Sequence, residues 1–104
     1  MHASGVLKLH ILNANLHNKV GGPLHKMSPF VHIKVGSMVW NSPVCEKGGK
    51  EPRWMMAFME IPVGMFQQNM HIVIKDQGHP LQPIGEANVP LAVFTQQGPR
   101  EERI

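Results

Sequence analysis

The sequence has little cysteine, little charge and no long apolar run. A lone cysteine, Cys45, cannot form an internal disulfide, which excludes a small disulfide-stapled secreted domain and favours a reducing compartment. No window approaches 18 consecutive apolar residues, and the first residues lack the pattern of a signal peptide. We therefore expect a cytoplasmic protein, at most peripheral to a membrane or the cytoskeleton.

The sequence also lacks the motifs of catalysis and of nucleic-acid binding. It has no Gly-x-Ser-x-Gly motif, no phosphate-binding glycine loop before a helix, and only 7 carboxylate side chains. The 10 basic residues, which leave a net charge of +3, are scattered singly, so nucleic acid is not an expected partner. We expect a non-enzyme without a cofactor.

Apolar residues alternate with polar ones in short runs. Nine prolines and ten glycines leave little room for long helices. A period of two, which is typical of half-buried strands, predicts six strands, with a bulge after Phe58 and an edge strand at Pro90. Trp54, Met55, Met56 and Met59 are expected to pack in the core. The runs span 6–11, 31–35, 38–40, 54–61, 70–75 and 87–91. This pattern predicts an antiparallel β-sandwich.

If successive strands alternate in direction, the three long connections emerge together. They are residues 13–27, 43–53 and 76–83, and we call the end of the sandwich that they form the loop end. Loops held on a rigid scaffold commonly carry binding sites, so the loop end is the candidate site.

Five sequence blocks in order resemble a C2 domain. They lie at 5–16, 28–35, 51–58, 72–76 and 84–91, and include Ser28-Pro-Phe30 and Ile72-Val-Ile-Lys-Asp76. The resemblance implies a sandwich of seven to eight strands, whose loops bind calcium and phospholipid in many members. It gives one domain over residues 1–97 and leaves 98–104 as a charged tail or the start of a linker or helix. The last strand is either missing or supplied by a neighbouring chain, and a homodimer stays open.

The calcium ligands that the resemblance implies are mostly absent. Serine occupies position 28 where the family has an aspartate, and Asp76 is the only matching acid. Calcium needs about 6 to 8 oxygen ligands, so we predict a calcium-independent member. The seven histidines lack zinc-site spacing in the sequence, so no metal is expected.

Two surfaces are candidate binding sites. The loop end carries basic and apolar residues, namely Lys19, Lys26, Lys47, Lys50, Arg53, Val20, Leu24 and Leu81. A basic sheet face is predicted if the strands that carry it are neighbours, and its residues are Lys8, His10, His32, Lys34, His71 and Lys75. The sequence favours an interaction module that docks a larger assembly onto a protein partner. The alternative is calcium-independent binding of anionic phospholipid membranes through the basic loop end.

Overall fold

The computed structural model describes residues 6–94, whose regular secondary structure is β-strand apart from two short 3₁₀ turns at Val63–Met65 and Leu91–Phe94. The predicted tail at 98–104 lies outside this range. None of the helices in the described range is long and apolar enough to cross a membrane. The strands are β1 (Val6–His10), β2 (Pro29–Val35), β3 (Met38–Asn41), β4 (Phe58–Pro62), β5 (Asn69–Asp76) and β6 (His79–Pro90).

The six strands form two antiparallel sheets. One holds β1 and β4, and the other has the order β3-β2-β5-β6. The antiparallel β-sandwich predicted from the alternation is confirmed, with six strands in residues 6–94. The strand that ends at Pro90 lies at a sheet edge, as the proline predicts, because proline cannot donate to a second neighbour.

The core lies between the sheets. Alternate residues of β2 and β5 point inward, and Ile33 is completely buried. Ile61 on β4 and Leu91 after β6 are equally inaccessible, so both sheets contribute to one apolar cluster. This rigid interior fixes where each strand ends, and hence where each loop begins.

The segment before β4 departs from the prediction. The strand starts at Phe58 and not at Trp54, and its pairing with β1 is regular, so the predicted bulge is wrong. Met59 and Ile61 point inward, while Phe58 faces outward with the Lys8 Nζ 4.4 Å from its ring centroid. The cation covers the aromatic ring, which explains how an apolar residue can occupy an outward position.

Trp54 and Met59 are buried as predicted, but Met55 and Met56 are each 85% exposed. The Trp54 Nε1–H donates to the carbonyl of Pro29 at 3.2 Å, so the indole ring takes up the inward position at this point of the chain. The two methionines follow in the connection before β4, and their packing prediction is wrong.

The connections meet at one end, as strand alternation predicts. His10 pairs with Phe58, and Pro29 pairs with Asp76, so the loops 11–28 and 42–57 leave the sheets beside the turn after β5. Main-chain hydrogen bonds join the two long loops, including Leu16 N–H to the carbonyl of Lys50 at 2.7 Å. The third connection is shorter than predicted, because β6 begins at His79 and leaves only residues 77–78 as a turn.

Candidate functional site

Asp76 is the buried centre of the loop end. It is the last residue of β5, its side chain is 0% exposed, and both carboxylate oxygens have partners. The backbone N–H of Ser28 donates to Oδ1 at 2.7 Å, and Oδ2 lies 2.6 Å from the Nε2 of His25. One carboxylate therefore joins the end of β5 to the loop before β2.

The surroundings of Asp76 favour its charged form. Burial raises the pKa of the carboxyl, but the Ser28 N–H bond, the His25 hydrogen bond and the charges of His25 and His79 together hold its pKa below the usual 3.8. The carboxylate is therefore a fixed negative charge inside the loop end at neutral pH.

His79 completes a three-residue cluster. Its ring meets that of His25 edge-on, with the centroids 5.0 Å apart. One ring nitrogen of each histidine and a carboxylate oxygen of Asp76 all lie within 4.8 Å of one another. Sequence spacing missed this group, since His25 and Asp76 are 51 residues apart. The available signal was Gln77-Gly78, because a two-residue turn places the residues on either side of it opposite each other.

A basic pocket opens next to this cluster. Its volume is about 460 Å³, and its lining includes Leu24, His25 and three of the predicted lysines, Lys19, Lys26 and Lys50. The ammonium group of Lys19 donates to the carbonyl of Pro23 at 3.0 Å, which holds the turn before Leu24. Leu24 itself is 99% exposed. The structure thus brings cations and an uncovered apolar side chain together.

The remaining predicted residues of the loop end lie outside this pocket. Leu81 is 98% exposed on β6, two residues after His79. Lys47 is exposed, and Arg53 lines a separate depression with Glu51. Val20 was predicted to lie on the binding surface of the loop end. This prediction is wrong, because Val20 is 4% exposed and belongs to the core.

The structure divides the predicted basic sheet face between the two sheets. Lys8 and His10 lie on β1, which pairs only with β4 in the described strands. His32 and Lys34 lie on β2, and His71 and Lys75 on β5. Strands β2 and β5 are neighbours, and Lys34 stands directly opposite His71. The basic face was predicted on the condition that its strands are neighbours. This condition is met for the four residues on β2 and β5 and not for the two on β1.

Comparison with known proteins agrees with this architecture. The profile of the C2 domain family matches residues 5–104. A solved structure described as "C2 domain-containing protein from putative elicitor-responsive gene" has a TM-score of 0.69 at 23% identity, over 89% of this chain and 69% of that one. At this identity the likeness shows the fold alone. None of the curated proteins matches the chain.

Proposed function

Since the chain belongs to the C2 domain family, a group of modules that bind proteins or lipids, we propose that its loop end docks onto anionic phospholipid membranes without calcium. The observation that carries the proposal is the exposure of two leucines, since Leu24 is 99% exposed and Leu81 is 98% exposed. Leu24 directly precedes His25, and Leu81 follows His79 by two residues. The rings of these two histidines pack edge-on beside a pocket lined by three lysines. Apolar tips next to cations suit an interface of acyl chains and anionic headgroups.

The energies support binding of moderate strength. Full burial of a leucine side chain is worth roughly 1.5 to 3 kcal/mol, so the two tips contribute about 3 to 6 kcal/mol. Each lysine near an anionic surface adds roughly 1 kcal/mol. Immobilising the protein costs at least about 4 kcal/mol of this gain, which makes the association reversible and sensitive to salt.

Calcium independence is supported by the state of the carboxylates. The loops 11–28 and 42–57 and the turn 77–78 contain only Glu46 and Glu51, and Asp76 closes the end of β5. Both oxygens of Asp76 already have partners, and calcium requires about 6 to 8 oxygen ligands.

The test is co-sedimentation with vesicles of phosphatidylserine and phosphatidylcholine, compared with phosphatidylcholine alone, in calcium and in chelator. We expect pelleting only with the anionic vesicles, equal with and without calcium. Lys26→Glu with Lys50→Glu removes four units of charge and should weaken binding more than about tenfold, given roughly 1 kcal/mol per charge. The matched control is Lys34→Glu, an exposed lysine on the sheet, which should bind like the wild type.

The apolar tips are tested separately with Leu24→Ser and Leu81→Ser, against Val39→Ser as the control, since Val39 is 53% exposed on β3. Loss of pelleting in the leucine variants alone supports insertion. Equal binding to neutral vesicles, a requirement for calcium, or wild-type pelleting of the lysine variant would overturn the proposal.

A protein partner is the second candidate. A separate apolar group supports it, made of Leu12 at 57% exposure and Met55 and Met56 at 85% each. The N–H of Trp54 donates to the carbonyl of Leu12 at 2.9 Å, so these residues lie on adjoining segments. Methionine-rich surfaces adapt to protein partners. If Met55→Ser with Met56→Ser abolishes recruitment in cells while vesicle binding is unchanged, the protein partner is favoured.

A further inference from the structure

We propose that His25, Asp76 and His79 form a site for a divalent transition ion of the zinc type. The donor atoms of the three residues lie within 4.8 Å of one another, and the closest pair, His25 Nε2 and Asp76 Oδ2, is 2.6 Å apart. Bonds of about 2.0 to 2.2 Å in tetrahedral geometry set ligand atoms about 3.3 Å apart. The His25–Asp76 separation of 2.6 Å is shorter than this value and the other separations are at most 4.8 Å, so shifts of up to about 1.5 Å assemble the site.

The donor chemistry selects the ion. Two imidazole nitrogens and one carboxylate oxygen are ligands that zinc accepts, and three protein ligands with an open fourth position are a recurrent zinc arrangement. Calcium and magnesium require oxygen donors almost exclusively. The site therefore distinguishes zinc from calcium through its ligand types.

The carboxylate is already oriented as a single-oxygen ligand. The N–H of Ser28 holds Oδ1 at 2.7 Å, which leaves Oδ2 directed toward the histidines. Such bonds from outside the ligand set fix ligand orientation and raise affinity. The side chain of Asp76 is 0% exposed and that of His25 is 29% exposed, so two of the three ligands are held by the fold. The ion takes the place of the proton between Nε2 and Oδ2, and that proton leaves to solvent.

A glycine at position 21 leaves space for the cluster. A Cβ at Gly21 would lie 2.3 Å from His25 Cδ2 and 2.9 Å from His79 Nε2, so only bare backbone fits there. His79 is exposed, so the fourth ligand position faces solvent and an ion can enter.

The experiment is calorimetric titration of the untagged, metal-free chain with zinc sulfate in the absence of vesicles, and with calcium chloride in parallel. We expect one zinc ion per chain and no calcium uptake. His79→Gln should weaken zinc binding at least about tenfold, since losing even an outer hydrogen-bond partner of a ligand costs about 10- to 100-fold. The matched control is His17→Gln. Like His79, His17 is exposed, but it lies in the loop 11–28 outside the cluster, so this variant should bind zinc like the wild type.

Cobalt serves as a spectroscopic probe of the geometry. Its visible absorption is intense in four-coordinate sites, and we expect this band in the wild type and in His17→Gln but not in His79→Gln. Melting curves check that His79→Gln is folded, and His25→Gln provides a second ligand variant. Wild-type zinc affinity in His79→Gln, or an equal loss in His17→Gln, would show that surface histidines bind zinc without a site and would overturn the proposal.

Discussion

Replacing Asp76 by alanine should remove a large part of the stability of the domain. The change deletes two hydrogen bonds to a charged group, each worth roughly 1.5 to 3 kcal/mol, and leaves the Ser28 N–H without its acceptor. Because His25 is partly exposed and regains water, we expect the free energy of unfolding to fall by about 3 to 4 kcal/mol, near the lower end of the sum for the two bonds. A domain of this size has a total free energy of unfolding of roughly 5 to 15 kcal/mol.

The assay is urea denaturation followed by tryptophan fluorescence, since Trp54 is buried next to the loop end. Asp76→Asn retains an acceptor for the Ser28 N–H and should lose about half as much as alanine. His25→Gln should cost about 1 to 2 kcal/mol, because one of the two bonds is lost and His25 is partly solvated. His17→Gln is the control and should stay within about 0.5 kcal/mol of the wild type.

Acid should remove the advantage of the wild type over Asp76→Asn. The folded-state pKa of Asp76 lies below its usual 3.8, so the carboxylate stabilises the fold fully above that pH. The stabilisation is lost as the pH falls through the lower folded-state pKa, and the difference between the two proteins should shrink there. The reasoning is refuted if Asp76→Ala unfolds like the control, or if this difference grows with acid.

Further changes test the core and two buried hydrogen bonds by urea denaturation. Ile61→Ala should cost about 2 to 5 kcal/mol because Ile61 is 0% exposed, whereas the exposed Val6→Ala should cost less than about 0.5 kcal/mol. Ser42→Ala should cost about 1 to 3 kcal/mol, since its Oγ accepts the buried Val31 N–H at 2.8 Å; a neutral result would mean that this N–H finds another acceptor. Trp54→Phe should cost about 1 kcal/mol or more through loss of the Nε1–H bond, and no change would contradict that role.

Strand periodicity predicted the central strands of the fold correctly and failed at its margins. β2 is buried on one side with strict alternation, and β5 follows the same period except that Val73 on its other face is buried as well. The first five residues of β6 are exposed and include two prolines, a pattern that indicates a loop. Of these five, His79 pairs with Asp76 and Pro83 pairs with Lys75, with register shifts in between. The prolines are tolerated because β6 lies at a sheet edge. β1 and β2 lie in different sheets. Which partner each strand takes depends on long-range pairing, which no local sequence pattern encodes.

The meeting of the long connections at one end was predicted from the sequence, but the side-chain cluster found there was not. The absence of acids around Asp76 predicted that the loop end lacks a calcium ligand set, and Val20, Leu24 and Leu81 were named as its apolar residues. Of these, Leu24 and Leu81 are exposed and Val20 is buried. The cluster of Asp76 with His25 and His79 depends on how the loop 11–28 folds over the turn at 77–78. That fold is fixed by main-chain bonds between distant segments, so residue types alone do not reveal it.

The bonds that join the two long loops come from peptide groups. Ala14 and Leu16 donate to the carbonyls of Pro52 and Lys50, and these hydrogen bonds are formed by backbone atoms alone. Evolution can therefore exchange the exposed amino acids of these loops, such as Asn15 and Glu51, while the buried Leu16 and Pro52 keep the backbone path. Protein engineers can exploit the same latitude by grafting foreign recognition residues onto this end.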